Sequence, residues 1–177
     1  MTSDKYISCS PLSLHMQPFE QAWALLKMPI VPESIQHAGK DFAGVDEYTA
    51  DFEHPETGEI YPMHGYVHDR ETGTFIYPPG FKREKGDEWH TNQIGQAHFN
   101  ADLTGEASKW SGHPNVSGRA SEREPPVGMG SAMYDLAATM ADKQGVKIVP
   151  SYGNRSNQAR QMWAKHEDKG HWPPVRT

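Results

Sequence analysis

Pro125-Pro126-Val127-Gly128-Met129-Gly130-Ser131-Ala132-Met133-Tyr134-Asp135 is a glycine-punctuated turn that runs straight into a patterned helix. The first amide N–H groups of a helix lack intrahelical acceptors and lie at the positive end of its macrodipole. Glycines ahead of such a turn let an anion come within hydrogen-bonding distance, so Val127, Gly128, Met129, Gly130, Ser131 and Ala132 form a candidate phosphate cradle. Downstream, Met129, Met133, Leu136, Ala137, Met140 and Ala141 recur at helical spacing, and Gly145 offers a left-handed stop. Val146-Lys147-Ile148-Val149 then reads as a short apolar strand closed by Pro150. Residues 156–166 predict a second helix with Ala159, Met162 and Trp163 on one side. Residues 170–177 carry prolines and are expected to dock loosely or not at all.

Upstream of the glycine turn the periodicity changes from helical to alternating. Residues 94–103 place Gly95, Ala97, Phe99, Ala101 and Leu103 on one face, and Thr104-Gly105 turns the chain into a strand over 106–110. Residues 60–68 and 74–77 predict another strand pair around Asp69-Arg70-Glu71-Thr72-Gly73, with the glycine supplying positive φ. Residues 78–87 read as a charged loop, and 111–124 as polar and turn-rich with one short strand near 116–120. Between Pro29 and Glu56 the pattern is irregular, and only a short strand or helical turn over 46–52 is expected. Phe19, Ala22, Trp23 and Leu26 mark an amphipathic helix over 17–27.

The chain has 177 residues, enough for one domain with a real core; residues 17–168 are assigned to it, with polar tails at 1–16 and 169–177. Sixteen glycines, 14 prolines and an apolar fraction of 36% describe a loop-rich chain with a modest core. The formal charge of −6 argues against coating nucleic acid or a membrane surface, which needs a basic field. Any anion must therefore be held locally, and a cationic acceptor is mildly favoured. Cys9 is the single cysteine, so an intramolecular disulfide is excluded and a reducing, cytoplasmic setting is expected. No apolar run approaches membrane length.

Hairpins followed by glycine turn, helix, strand and helix give an α/β architecture, with a mixed, mostly antiparallel twisted sheet flanked by helices. Over residues 94–166 this order resembles the acetyl-CoA-dependent N-acetyltransferase superfamily, the GNAT fold. In that family a Q/R-x-x-G-x-G/A turn holds the cofactor pyrophosphate, and Gly128-Met129-Gly130 matches its two small positions. The resemblance implies that acetyl-CoA (coenzyme A) is the donor, that residues 127–132 bind it, with Asn157 on the last helix, and that the acceptor is an amine on a small molecule or a protein. It also implies direct attack of that amine on the thioester. Glu122 and Glu124, just before the turn, are candidate bases, with His98 a third; Tyr134 is a candidate acid.

Two positions depart from the family. Pro125 stands where a glutamine or arginine is usual, and Trp163 where a tyrosine often protonates the leaving thiolate. These favour the alternative of a catalytically inactive, acetyltransferase-like binding or structural accessory protein. The stretches 19–29 and 54–58 resemble small proteins of tailed bacteriophages and their hosts. His64 and His68 share a face but lack further ligands at metal spacing, so no metal is expected. Valine at Gly128 or Gly130 is expected to abolish cofactor binding and spare the fold.

Overall fold

The computed structural model describes residues 30–41, 43–68, 71–84, 87–89, 91–102, 109–115, 126–150 and 157–176. The helix expected over 17–27 and the strand near 116–120 lie outside them. Among the described residues one sheet holds seven strands in chain order. They are β1 (Gln36–Lys40), β2 (Asp46–Glu53), β3 (Ile60–His68), β4 (Glu71–Ile76), β5 (Gly95–Asp102), β6 (Lys109–Asn115) and β7 (Lys147–Pro150). Every neighbouring pair is antiparallel except the last, β6 with β7, which is parallel. That pair needs a crossover, and helix α1 (Met129–Lys143) provides it. A second helix, α2 (Asn157–Ala164), follows β7. The architecture is mixed α/β, and no helix of the described residues is long and apolar enough to cross a membrane.

Alternation along the strands explains why the sheet has one core face. Tyr48, Ala50 and Phe52 on β2 register with Gly65, Met63 and Tyr61 on β3, and all six are buried. Across β4 and β5 the same face continues through Thr72, Thr74 and Ile76 to Phe99, Ala97 and Gly95. Side chains beneath α1 are small where the helix comes closest. A Cβ on Gly65 would lie against Met140 Sδ, and one on Gly95 would stand 2.7 Å from Met129 Cε. Between them Thr74 Oγ1 donates to the Met133 carbonyl at 3.2 Å, a buried bond that only a closely seated helix can receive.

The other side of α1 is covered as well, which is why ten of its residues are buried. Trp172 is 5% exposed, donates from Nε1 to Asp135 Oδ1 at 2.7 Å, and bridges Ile148 at the β7 edge. The Val175 amide donates to Thr139 Oγ1 at 3.1 Å. The loosely docked tail expected over 170–177 is thus corrected: its tryptophan and valine close the core over α1. A helix apolar on nearly every side needs such a second cover.

Three further expectations change. Gly73 lies inside β4, opposite Tyr66, and is not among the positive-φ glycines, so it is not the hairpin turn residue. Strand β6 starts at Lys109 and runs through Ser111–Asn115, a stretch expected to be turn-rich. Strand β1, unexpected in the irregular 29–56 region, is tied down by Asp46, whose carboxylate meets His37 Nε2 at 3.0 Å and Lys40 Nζ at 3.4 Å.

Thr74→Val keeps the shape of the side chain and removes the bond to α1, so it is expected to lower stability by about 1 kcal/mol in urea unfolding. Gly65→Val forces Met140 away from β3 and is expected to cost about 1–3 kcal/mol in the same measurement. Equal stability of both variants and the parent would contradict close seating of the helix.

Candidate functional site

The first turn of α1 differs from an ordinary helix start. Gly128 takes a left-handed conformation at φ 87°, in the N-cap position, and makes no side-chain cap because it has no side chain. The Met129 amide donates to the Pro126 carbonyl at 3.2 Å and the Ala132 amide to the Gly128 carbonyl at 3.0 Å. No backbone acceptor among the described residues receives the amides of Gly130 and Ser131. No acidic residue stands in this turn to compete for them. These two adjacent amides stand at the positive helix end, where an anion is favoured.

Placement of the six cradle residues narrows their roles. Met129 and Ala132 are core side chains whose amides are engaged by the chain itself. Val127 is 60% exposed, an apolar side chain at the lip of the turn. Gly130 is half-buried, and among the described residues a Cβ there would meet only Met162 Sδ of α2, at 4.0 Å. Packing among the described residues thus gives no reason for glycine at 130, whereas the left-handed φ of Gly128 does at 128. Valine at Gly128 strains the fold as well as the turn, which corrects the expectation that both glycines could be changed without structural cost.

The turn sits where the sheet changes character. Strand β7 registers with β6 from Lys109↔Lys147 to Gly112↔Pro150. On its other edge β6 runs on through His113, Pro114 and Asn115, paired to β5. Among the described residues nothing pairs with those three on the β7 side. Met129 packs on Gly95, next to Gln96, which registers with Asn115, so the start of α1 lies at that same end of the sheet. Ligands of α/β sheets characteristically bind at the carboxyl ends of parallel strands beside a helix N-terminus.

Other expected site residues fall elsewhere. Tyr134 is 1% exposed and packs among the rings of Phe99, Trp163 and Trp172 at centroid distances of 5.3, 5.6 and 5.0 Å. Trp163 is 3% exposed in the same cluster. Both serve the contact of α1 with α2 and the C-terminal segment. Asn157 is exposed at the first position of α2. Glu122, Glu124 and Pro125 lie outside the described residues. The described residues contain no group of three or more histidine, cysteine, aspartate or glutamate side chains that could hold a metal ion.

The sheet face turned away from α1 carries a cluster the sequence reading did not anticipate. The connection from β4 to β5 lays Trp89 beside Tyr66 and Phe75, with ring centroids 5.5 and 5.7 Å away. Arg83 stacks over Trp89 at 3.8 Å, meets Glu47 at 3.5 Å and donates from Nη2 to the Asp87 carbonyl at 2.8 Å. Tyr77, buried beneath, donates to the Trp89 carbonyl at 2.9 Å, and burial holds its hydroxyl protonated well beyond the usual tyrosine range. His64 packs edge-on against Tyr77 at 5.4 Å; burial first, and the Arg83 charge second, lower its pKa to about 4. Only after strand pairing do Glu47, Tyr66 and His98 fall in one row, which is why the linear pattern hid the cluster.

Comparison with protein families, with curated proteins and with solved structures gives no match to this chain.

His64 makes the stability of this face pH-dependent. Its folded pKa lies near 4 and its unfolded value near 6.5, so between these the unfolded chain binds the extra proton. Its contribution is complete above the unfolded value and is lost as the pH falls toward 4. Thermal melts from pH 7 to pH 4 are expected to fall less steeply for His64→Gln than for the parent. Parallel curves would show that His64 stays solvated.

Proposed function

We propose that this chain is an acetyl-CoA-dependent N-acyltransferase that transfers an acetyl group to an amine. The observation that carries the reading is the start of α1: a left-handed glycine, two adjacent amides without backbone acceptors among the described residues and a Cβ-free position at 130, at the end of the parallel pair of β6 and β7. Those residues fit a diphosphate. The amides of Gly130 and Ser131 would donate to its oxygens, the helix dipole would favour its charge, and the missing Cβ of Gly130 would leave it room beside Met162. Val127 offers an apolar surface at the same lip. Bound there, coenzyme A supplies an activated acetyl thioester.

Beyond the diphosphate, the end of β6 past its register with Pro150 of β7 would flank an extended ligand arm. Orienting the thioester on a rigid strand lowers the barrier mainly by positioning. The net charge of −6 steers cationic amines toward the chain.

A second reading, a catalytically inactive relative that serves as a binding or accessory protein, is favoured by Trp163. Its indole is locked between Tyr134 and Trp172 and supplies no acid for a leaving thiolate. Such a protein could keep coenzyme A binding or lose it, but would not turn acetyl-CoA over.

Calorimetric titration separates these outcomes. Acetyl-CoA and free coenzyme A are both expected to bind the parent, and at a hundredfold excess over Kd to stabilise it by about 2.7 kcal/mol. Gly130→Val is expected to weaken both at least tenfold with little change in unadorned stability. Absence of any binding, or binding unchanged in Gly130→Val, would remove the site assignment.

A further inference from the structure

The segment His171-Trp172-Pro173-Pro174-Val175-Arg176 covers α1 through one deep anchor. Trp172 is buried, whereas His171, Pro173, Pro174 and Val175 are half-buried and Arg176 is exposed. The Trp172 ring enters a box of Tyr134, Trp163 and His166, at centroid distances of 5.0, 5.5 and 4.3 Å. Its indole N–H donates to Asp135 Oδ1 and its backbone amide to the Ile148 carbonyl, while the Val175 amide donates to Thr139 Oγ1. Between these anchors Pro173 and Pro174 have no N–H to satisfy and favour an extended conformation. This is the grip of a bound peptide: an aromatic residue in a pocket, a few backbone bonds, and prolines that limit the entropy lost on docking.

The link that leads from α2 into this segment is built differently. Glu167, Asp168, Lys169 and Gly170 are all exposed. They form a single 3-10 turn, in which the Lys169 and Gly170 amides donate to the His166 and Glu167 carbonyls at 3.0 Å each. The turn ends on Gly170 at φ 63°, a left-handed conformation that bends the chain back toward its own α1. Extending the link uncovers no buried side chain of its own.

We propose that residues 171–176 are an exchangeable strap: the groove between α1, α2 and the β7 edge accepts the same segment of a second copy of this chain, giving a reciprocal dimer in which each copy's Trp172 completes the other's ring box. Groove and strap are identical in both copies, so every bond that the strap makes in its own chain is regained on exchange, and only the exposed link changes conformation. Docking within one chain is favoured at low protein concentration, because a short link holds the strap at an effective concentration on the order of millimolar. The balance between the two forms therefore lies in the link, and exchange sets in when the link cannot make its turn. This inference is independent of coenzyme A.

Gly170→Pro tests it in the full chain. Proline fixes φ at about −65°, against the 63° of the structure, and removes the amide that donates to Glu167, while the groove and Trp172 stay as they are. The variant is expected to form a dimer in light scattering, with a fraction that rises with concentration, where the parent is monomeric. Gly170→Pro combined with Trp172→Ala is expected to return to monomer because the anchor is gone. A synthetic peptide of residues 171–176, added at millimolar concentration to nitrogen-15-labelled parent, is expected to move part of the Trp172 indole signal to its free position. That readout requires no variant to fold, and it alone decides if Gly170→Pro does not fold. A folded Gly170→Pro chain that stays monomeric, a dimer that persists in the double variant, or an indole signal indifferent to the peptide would each overturn the proposal.

Discussion

Close seating of α1 on a strip of small residues is the constraint from which the rest of the molecule follows. Glycine at 65 and 95 and threonine at 74 bring the helix near enough for a side chain of the sheet to bond its backbone at Met133. Large residues there would lift α1, and with it the geometry at both of its ends. The crossover that α1 makes is also what turns β7 parallel to β6, while every other pair in the sheet is antiparallel. One helix position therefore fixes the core, the strand order at the sheet edge and the location of the glycine turn.

From that constraint the site acquires its asymmetry. The start of α1 cannot be buried like its middle, because Met129 anchors it over Gly95 while Gly128 swings the chain away. Among the described residues no backbone acceptor receives the Gly130 and Ser131 amides at the positive end of the helix. On the opposite side, the long connection between β4 and β5 supplies aromatic cover and an arginine held by Trp89 and Glu47. This cover keeps His64 neutral. The sheet thus separates a face covered by α1 from a face covered by the connection between β4 and β5.

Much of the architecture was legible in the residues. The apolar repeat from Met129 to Ala141, the stop at Gly145 and the alternation of Gly95, Ala97 and Phe99 match α1, its end and β5, because local period directly reflects which face is buried. The left-handed glycine ahead of α1 lies within the turn that glycine spacing picked out. Strand β1 was missed because its residues are nearly all exposed and carry no alternation, and it is held by Asp46 across the pairing. The docking of Trp172 was missed because a proline-flanked aromatic near a chain end has no period at all; its partner, Asp135, is distant in sequence. Tyr134 looked like an available hydroxyl until the rings of three distant segments closed around it.

The Arg83 cluster was illegible for a related reason. Glu47, His64 and Tyr66 look like ordinary positions of separate strands, and only cross-strand register and the folded-back connection give them a common setting. The central claim remains the grip of the α1 start on a diphosphate, and the amide signals of Gly130 and Ser131 report on it directly. Adding free coenzyme A to nitrogen-15-labelled protein is predicted to move these two resonances downfield more than any others in α1, with saturation at the calorimetric Kd. Saturable binding that leaves both resonances in place would contradict the account.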